Sequence, residues 1–311
     1  AVVCDTSEVD FESCAFVGNY TTYIGGALFL DNEGGGSQTF TDCTFRGNYS
    51  ETSGGAVSID EGAAVFTDCV FDGNDSEFVG GAVDVFDETT IEITGCDFTG
   101  NGSLNTSWGG ALYVDSDCTA TLTGCVFTGN TADDEAGASF GGGTSVDIDG
   151  CDFIGNTASW NSAGVAADEV SHLSITGCRF EGNSAGDACA LYISESLDIT
   201  FEDNAIESNT SGGGALHIYD SPMTVSDCLF AGNTGNWGTA VEIWNSAPTT
   251  IEDCTFSGNT MSGSGGGCAI TIYGPHGTPD VSVENCSLSE NGGGDPVYCG
   301  DGSVTLSCSL V

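Results

Sequence analysis

Positive charge is almost absent from this sequence. Its 311 residues include two basic side chains, Arg46 and Arg179, against 46 aspartate and glutamate residues, which gives a formal net charge of -44. Nucleic acids and anionic membrane surfaces are bound through clusters of basic side chains, so the composition excludes both classes of partner. A surface this acidic is better tolerated where salt or divalent cations screen its self-repulsion. The composition therefore favours a saline or calcium-containing exterior.

Long apolar runs are absent as well. No stretch of about eighteen apolar residues occurs, which argues against a membrane-spanning helix. The first residues lack the charged segment and apolar run of a signal peptide, so either such a peptide has been removed, which is compatible with a start at Ala1, or there was none. We therefore expect a secreted protein, either extracellular or displayed on the cell surface.

A six-residue motif, in contrast, recurs along the chain. Copies such as CTFRGN, CVFDGN and CDFTGN align a cysteine, a phenylalanine two positions later and an asparagine five positions after the cysteine. The asparagine column is unbroken and consists of Asn19, Asn48, Asn74, Asn101, Asn130, Asn156, Asn183, Asn209, Asn233, Asn259 and Asn291. Successive copies are mostly 24 to 29 residues apart, as between positions 209 and 233 or 19 and 48, a period typical of a solenoid.

Each repeat also contains the alternating apolar and polar residues of β-strands. One such segment precedes the cysteine, and another follows a glycine pair, as in GGALFL and GGALYV. We predict an all-β protein, a right-handed parallel β-helix of about eleven coils with three short strands per coil. It would form a single domain over residues 1–311, with partial coils at both ends. Equivalent side chains would stack into interior ladders, and the asparagine amides would hydrogen-bond from coil to coil.

Two short signatures carry a resemblance to a known family. The pattern GGA plus an aliphatic residue, as in Gly25 to Leu28, and the pattern F-x-x-N, as in Phe45 to Asn48, resemble the repeats of the polymorphic outer-membrane proteins. These are bacterial surface β-helices similar to autotransporter passengers, and the resemblance covers almost the whole chain. It implies a β-helical fold and an adhesive role.

Most of the 16 cysteines belong to the motif column. The column members are Cys14, Cys43, Cys69, Cys96, Cys125, Cys151, Cys178, Cys228, Cys254 and Cys286, with Asn204 in place of one cysteine. Stacked in register, their side chains would be parallel, with Cβ atoms too far apart for a disulfide without distortion. They would then act as small buried apolar groups, although disulfides remain the alternative. Outside the column, Cys268 and Cys299 occupy nearly equivalent positions in successive coils and are the best candidates for a disulfide.

Neither end of the sequence shows the capping element that usually covers a terminal coil of a solenoid. Stacking of one partial coil on the opposite end of a second molecule would continue the β-helix into a filament. The predicted assembly interface consists of Val2, Val3, Cys4, Asp5, Val304, Leu306, Cys308 and Leu310. A monomer with charged ends is the alternative.

Metal binding has one candidate. The segment DGNDSE gathers Asp72, Asp75 and Glu77 at one corner, where oxygen ligands can hold calcium, and solvated acids are the alternative. No zinc signature such as C-x-x-C is present. Calcium is therefore the one cofactor that the sequence suggests.

The strand after the glycine pair has a variable fifth position that should point outward and often carries a ring. We predict a ligand-binding face formed by Phe29, Tyr113, Phe140, Tyr192 and His217, on which sugar rings could stack. Scattered surface aromatics are the alternative interpretation.

No catalytic motif is recognisable, and acidic side chains are spread over every coil. We therefore predict a non-enzymatic structural or adhesive protein that self-associates head to tail. The alternative function is binding or degradation of an extracellular polysaccharide, for which the aromatic face would serve. An extracellular glycan is accordingly the second partner that we consider.

Overall fold

The structure is a computed structural model that describes residues 2–5, 8–32, 36–103, 105, 108–188, 190–244, 248–263, 266–274, 280–300 and 303–307. Within these residues every strand pairs in parallel with the equivalent strand of the neighbouring coil. The chain forms a right-handed parallel β-helix of about eleven coils, which confirms the predicted fold. The described part of the chain contains no helix that could cross a membrane.

Three sheets run along the axis, one for each of the three predicted strands of a coil. The first sheet follows the glycine pairs, with strands Val2–Asp5, Leu28–Asp31, Val57–Asp60, Val83–Phe86, Leu112–Val114, Ala138–Phe140, Val165–Asp168, Leu191–Ser194, Leu216–Tyr219, Val241–Trp244, Gly267–Tyr273 and Asp295–Cys299. The second sheet precedes the cysteine column, with strands Val9–Glu12, Ser37–Thr41, Ala63–Thr67, Thr90–Thr94, Thr119–Thr123, Ser145–Asp149, His172–Thr176, Ile199–Glu202, Met223–Ser226, Thr249–Glu252, Asp280–Glu284 and Ser303–Ser307. The third sheet follows the cysteine column, with strands Ala15–Val17, Thr44–Arg46, Val70–Asp72, Asp97–Thr99, Val126–Thr128, Asp152–Ile154, Arg179–Glu181, Ala205–Glu207, Leu229–Ala231, Thr255–Ser257 and Ser287–Ser289.

A further set of two-residue strands follows the asparagine column, and the sequence analysis did not predict it. Six of these strands form a fourth sheet, with bounds Tyr20–Thr21, Tyr49–Ser50, Asp75–Ser76, Gly102–Ser103, Thr131–Ala132 and Thr157–Ala158. Two more, Thr234–Gly235 and Thr260–Met261, pair with each other. They extend the ladder of hydrogen bonds around the corner that the asparagines form.

Stacked phenylalanine rings fill the interior beneath the third sheet. The ring centroids of Phe98 and Phe127 are 4.6 Å apart, and those of Phe127 and Phe153 are 4.8 Å apart. These distances match the spacing of paired strands, about 4.8 Å, because strands in register hold the side chains of one column parallel. A shift of one residue in any strand would turn its ring out of the core.

The asparagine column forms a continuous buried ladder, as predicted. The Asn101 side-chain Nδ2 donates to Asn130 Oδ1 at 3.1 Å, and the Asn101 backbone N–H donates to the same oxygen at 2.9 Å. The same Nδ2 also donates to the backbone carbonyl of Phe71, one coil earlier, at 3.0 Å. Each rung thus satisfies polar backbone groups at a buried corner.

The column cysteines contribute thiols to this core without forming disulfides. Every cysteine in the described part of the chain is free, and most of them are buried. Their thiols donate to backbone carbonyls, as from Cys69 Sγ to the Phe40 oxygen at 3.4 Å. Where Asn204 replaces a cysteine, its side-chain oxygen accepts the Cys178 backbone N–H at 2.8 Å. The prediction of small buried groups is confirmed for the described cysteines.

The predicted disulfide between Cys268 and Cys299 is wrong. Cys299 pairs with Ile272, which lies four positions after Cys268 in the strand Gly267–Tyr273. At about 3.3 Å per residue, four positions come to roughly 13 Å along the strand direction, which is beyond disulfide range. Cys268 is buried whereas Cys299 is exposed, and both are free.

The terminal strands contain most of the residues predicted to mediate assembly. Those within the described strands are Val2, Val3, Cys4, Asp5, Val304 and Leu306. The remaining two, Cys308 and Leu310, lie outside the described residues. Head-to-tail association of the coils remains a prediction.

Both arginines lie on the third sheet, where they pair with acidic neighbours. Arg46 Nε is 2.8 Å from Asp72 Oδ2, and Arg179 Nε is 3.3 Å from Asp152 Oδ1. Such exposed pairs contribute little to stability, on the order of 0–1 kcal/mol. Their position leaves the first sheet without arginine or lysine side chains among the described residues.

Candidate functional site

A groove runs along the outer face of the first sheet. Its floor is formed by one side chain from each strand, because residues at one register position point to the same side of a sheet. This floor column consists of Val3, Phe29, Ser58, Asp84, Tyr113, Ser139, Ala166, Tyr192, His217, Glu242, Thr271 and Tyr298. Although Asp84 and Glu242 point outward, they are only 4% and 3% exposed, so the floor is deeply recessed.

The two rims of the groove come from the turns before and after each strand. Trp108 and Trp237 lie on the rim that precedes the strands. Tyr219, Trp244 and Tyr273 share one register position at the opposite rim, two residues after the floor column. Aromatic side chains therefore line both sides of the groove as well as its floor.

The groove widens into three clefts along its length. A cleft of about 640 Å³ lies around Phe29 and Asp84, and a second of about 400 Å³ lies around Tyr113 and Tyr192. A third cleft of about 510 Å³ extends from His217 to Tyr273. Volumes of several hundred Å³ suit small molecules or the successive units of a polymer. No lysine or arginine lines the clefts in the described part of the chain.

Two buried acids in the first two clefts have raised pKa values. Burial, together with repulsion from Asp115, raises the pKa of Asp84 to about 8, and Ser58 Oγ is within 3.4 Å of its carboxylate. Burial also raises the pKa of Glu135 to about 7, although the Ser139 hydroxyl donates a hydrogen bond to it. At neutral pH, Asp84 is therefore mainly protonated, and Glu135 is close to its midpoint.

Glu242, on the floor of the third cleft, behaves differently. Burial alone would raise its pKa, but interaction with His217 and hydrogen bonds from Trp244 and Gly214 lower the net pKa below its usual value. Trp244 Nε1 donates to Oε1 at 2.8 Å, and the Gly214 N–H donates to Oε2 at 3.1 Å. A Cβ atom at Gly213 would lie 2.5 Å from Oε2, so a larger residue there would displace the carboxylate from this position. Glu242 is thus a buried carboxylate that stays ionised.

The structure brings most of the predicted ligand-binding face together. Its members in the floor column are Phe29, Tyr113, Tyr192 and His217. Phe140 is a correction, because it pairs with Val114 in the inward column and is buried in the core. The glycine pair of that coil is replaced by Glu135 and Ala136, and this substitution shifted the sequence alignment by one residue.

Several groove residues were missed by the sequence analysis. Tyr219, Trp244 and Tyr273 form an aromatic rim whose signal was visible, because each lies two positions after the variable fifth position in three consecutive repeats. Glu135 gave no comparable signal, since an acidic residue in an acidic chain is not distinctive. Its burial depends on the fold of neighbouring coils.

The predicted calcium site is not formed. Asp72 pairs with Arg46, whereas Glu77 accepts a hydrogen bond from the Tyr49 hydroxyl at 2.9 Å. Asp75 is half-buried in the fourth sheet, on the other side of the asparagine corner from Asp72. Among the residues that the structure describes, no three acidic, histidine or cysteine side chains are grouped as metal ligands. The calcium prediction for these acids is therefore wrong.

Comparison with known proteins supports the fold but identifies no function. The family model described as a right handed beta helix region matches residues 82–236 and, in a second overlapping match, residues 163–311. Together these spans cover most of the chain. No curated protein and no solved structure matches the sequence.

Proposed function

Because this chain belongs to the right-handed β-helix family, we propose that it is a non-catalytic extracellular adhesive protein whose groove binds an extended glycan. The observation that carries the proposal is the continuous floor column, in which aromatic rings are interspersed along the first sheet with the carboxyl groups of Asp84 and Glu242 and with small side chains. Twelve strands spaced about 4.8 Å apart give a groove roughly 50 Å long, a length that suits a polymer better than a single small molecule.

The chemistry of the groove fits sugars. Ring faces such as those of Tyr113 and Tyr192 offer apolar surface for the C–H faces of pyranose rings. Buried polar groups such as Asp84 and Glu135 can exchange hydrogen bonds with sugar hydroxyls, which would fix the orientation of the chain. Aromatic walls with a few placed polar groups are the usual composition of such sites.

Charge restricts the class of glycan. The described lining of the groove contains acids and no lysine or arginine. Uronate or sulfated polymers would be repelled, since the chain carries a net charge of -44. The proposed ligand is therefore a neutral or amino-sugar polysaccharide.

Two observations favour an extracellular location and an adhesive role. The acidic surface suits a saline exterior, and the GGA and F-x-x-N repeats resemble those of the polymorphic outer-membrane adhesins. Head-to-tail association would add length to such an adhesin and is proposed separately from glycan binding.

Removal of the two floor tyrosines tests the proposal. We expect the double variant Tyr113→Ala/Tyr192→Ala to bind neutral oligosaccharides at least about tenfold more weakly, because each lost ring removes one stacking surface. Isothermal titration with gluco-, xylo- and glucosamine oligosaccharides measures the effect, and uronic acid oligosaccharides should not bind.

The matched control is Tyr20→Ala/Tyr49→Ala. These two tyrosines stack on each other in neighbouring coils of the fourth sheet, outside the groove, at a ring distance of 5.7 Å. Their loss should leave glycan affinity unchanged. Equal weakening by both double variants would contradict a ligand in the groove.

Polysaccharide degradation is a second candidate, which one observation favours. A carboxyl group with a pKa of about 7, such as Glu135, suits a general acid at neutral pH. Under this candidate, Glu135→Gln should lower the release of reducing ends at least about 100-fold, whereas Asp133→Asn, two residues earlier in the same turn, should not. Binding by the natural chain without any release of reducing ends would leave adhesion as the function.

A further inference from the structure

We propose that the third cleft is a separate binding site for an alkylated ammonium group, in which a positively charged nitrogen carries carbon substituents. The inference goes beyond glycan binding. It rests on the side chains around Glu242 and can be tested with a small cation in the absence of any sugar.

Aromatic side chains form the walls of this cleft. Tyr219, Trp244 and Tyr273 follow one another on one rim, with the rings of Trp244 and Tyr273 5.0 Å apart. Trp237 lines the opposite side and is 58% exposed, so a face of its ring is accessible. Ring faces on two sides of a space of about 510 Å³ are the arrangement that receives a cation through its attraction to the π-electrons.

A buried negative charge lies at the base of the same cleft. Glu242 is 3% exposed, and its two oxygens are oriented by Trp244 Nε1 and the Gly214 N–H. His217 Nδ1 is 3.4 Å from Oε2, within ion-pair distance but without the alignment of a hydrogen bond. Asp187 adds a second carboxylate, so the two carboxylates outnumber His217, the one basic side chain in the described lining. Charge in this recessed position acts at a lower effective dielectric than at the surface and attracts a cation more strongly.

The lining distinguishes between classes of cation. Calcium or magnesium would need six or more oxygen ligands, whereas the described lining offers two carboxylates among several rings. A hydrated ammonium would have to lose water against apolar ring faces. An alkylated ammonium is weakly hydrated and donates few or no hydrogen bonds, so its charge can be stabilised by rings and a nearby carboxylate.

Choline and its neutral carbon isostere, 3,3-dimethylbutan-1-ol, provide the direct test. The two have nearly the same shape and differ in charge. We expect choline to bind the full chain at least about tenfold more tightly, measured by quenching of tryptophan fluorescence and by titration calorimetry at constant sodium chloride. Equal binding of both compounds, or no binding of choline, would overturn the proposal.

Two variants locate the site. Trp237→Leu removes the accessible ring, and Glu242→Gln removes the charge while keeping the size of the side chain. Each should weaken choline binding about five- to tenfold. The matched control is Trp108→Leu, because Trp108 occupies the equivalent rim position in the second cleft and is also exposed. A similar loss of choline affinity in the Trp108 variant would contradict a site in the third cleft.

Folding is monitored separately for each variant by far-ultraviolet circular dichroism and by its unfolding transition. If Glu242→Gln fails to fold, the exposed Trp237→Leu variant still decides the outcome. Glycan binding by the natural chain without choline binding would refute this inference alone, and the opposite result would refute the glycan proposal alone.

Discussion

Asn130→Ala should lower the free energy of unfolding by roughly 4 kcal/mol, a large loss for one substitution. Asn130 is fully buried in the middle of the asparagine ladder. Its Oδ1 accepts both the backbone N–H and the side-chain Nδ2 of Asn101, and its Nδ2 donates to the carbonyl of Phe98 at 3.0 Å. Alanine would remove these three hydrogen bonds, so the Asn101 backbone N–H, one of the two Asn101 Nδ2 hydrogens and the Phe98 carbonyl would lose their partner. Each such buried group costs about 1–3 kcal/mol.

Urea unfolding followed by circular dichroism measures this loss, with Asn19→Ala as the control. Asn19 occupies the first rung, is half-buried and donates to Asn48 Oδ1 at 2.8 Å. Because solvent can replace this contact, we expect a loss of about 1 kcal/mol. Equal losses at the two positions would show that the ladder is not a cooperative buried network.

The shape of the transition carries further information. Each coil of a solenoid contacts only its neighbours, so a defect at a central rung weakens the coupling between the two flanking stacks. The Asn130 variant should therefore unfold over a broader urea range than the natural chain, or in two steps. The terminal variant should retain a single transition.

Asp84→Asn should make the protein more stable at pH 8 and should have little effect at pH 4. Burial raises the pKa of Asp84 to about 8 in the folded chain, whereas an unfolded aspartate has a pKa of about 3.9. Between these values the folded state holds a proton that the unfolded state has released. The contribution of Asp84 to stability is therefore greatest below about pH 4 and is lost as the pH rises towards about 8. The slope approaches about 1.4 kcal/mol per pH unit.

Asparagine removes this dependence because its amide is neutral at every pH. We expect the variant to exceed the natural chain by roughly 2–5 kcal/mol at pH 8, as measured by urea unfolding at constant ionic strength. The control is Asp87→Asn, an exposed residue of the same coil whose backbone φ of 53° asparagine tolerates. If the free energy of unfolding changed equally with pH in the natural chain and the Asp84 variant between pH 4 and 8, a raised pKa of Asp84 would be refuted.

The repeat made much of the fold predictable. The columns of asparagine, cysteine and phenylalanine recur at fixed offsets, and in-register pairing converts an offset in sequence directly into a position in space. That is why Tyr113, Tyr192 and His217 were assigned correctly to one outward column. Where the repeat itself is irregular, the same reasoning fails, because a shift of one residue reverses the direction of every side chain in a strand. Phe140 is the example, since Glu135 displaces the glycine that marks the register.

The depth of the groove could not be read from the pattern. Alternation distinguishes inward from outward positions, and Asp84 and Glu242 are correctly outward. Their side chains are buried because the turns before and after each strand project beyond the outer face of the first sheet. How far these turns project depends on how the loops of adjacent coils stack. The Cys268 and Cys299 pair failed for a related reason, because the register of the last coils changes within the strand Gly267–Tyr273.

The scarcity of arginine and lysine has a consequence for proteolysis. Trypsin-like proteases cleave after arginine or lysine, and this chain offers them Arg46 and Arg179 alone. Both lie in paired strands of the third sheet, with their side chains held by Asp72 and Asp152. Cleavage at either bond requires local unfolding of a strand that is hydrogen-bonded on both sides. The composition that gives the groove its acidity thus also makes the folded chain resistant to one of the commonest classes of extracellular protease.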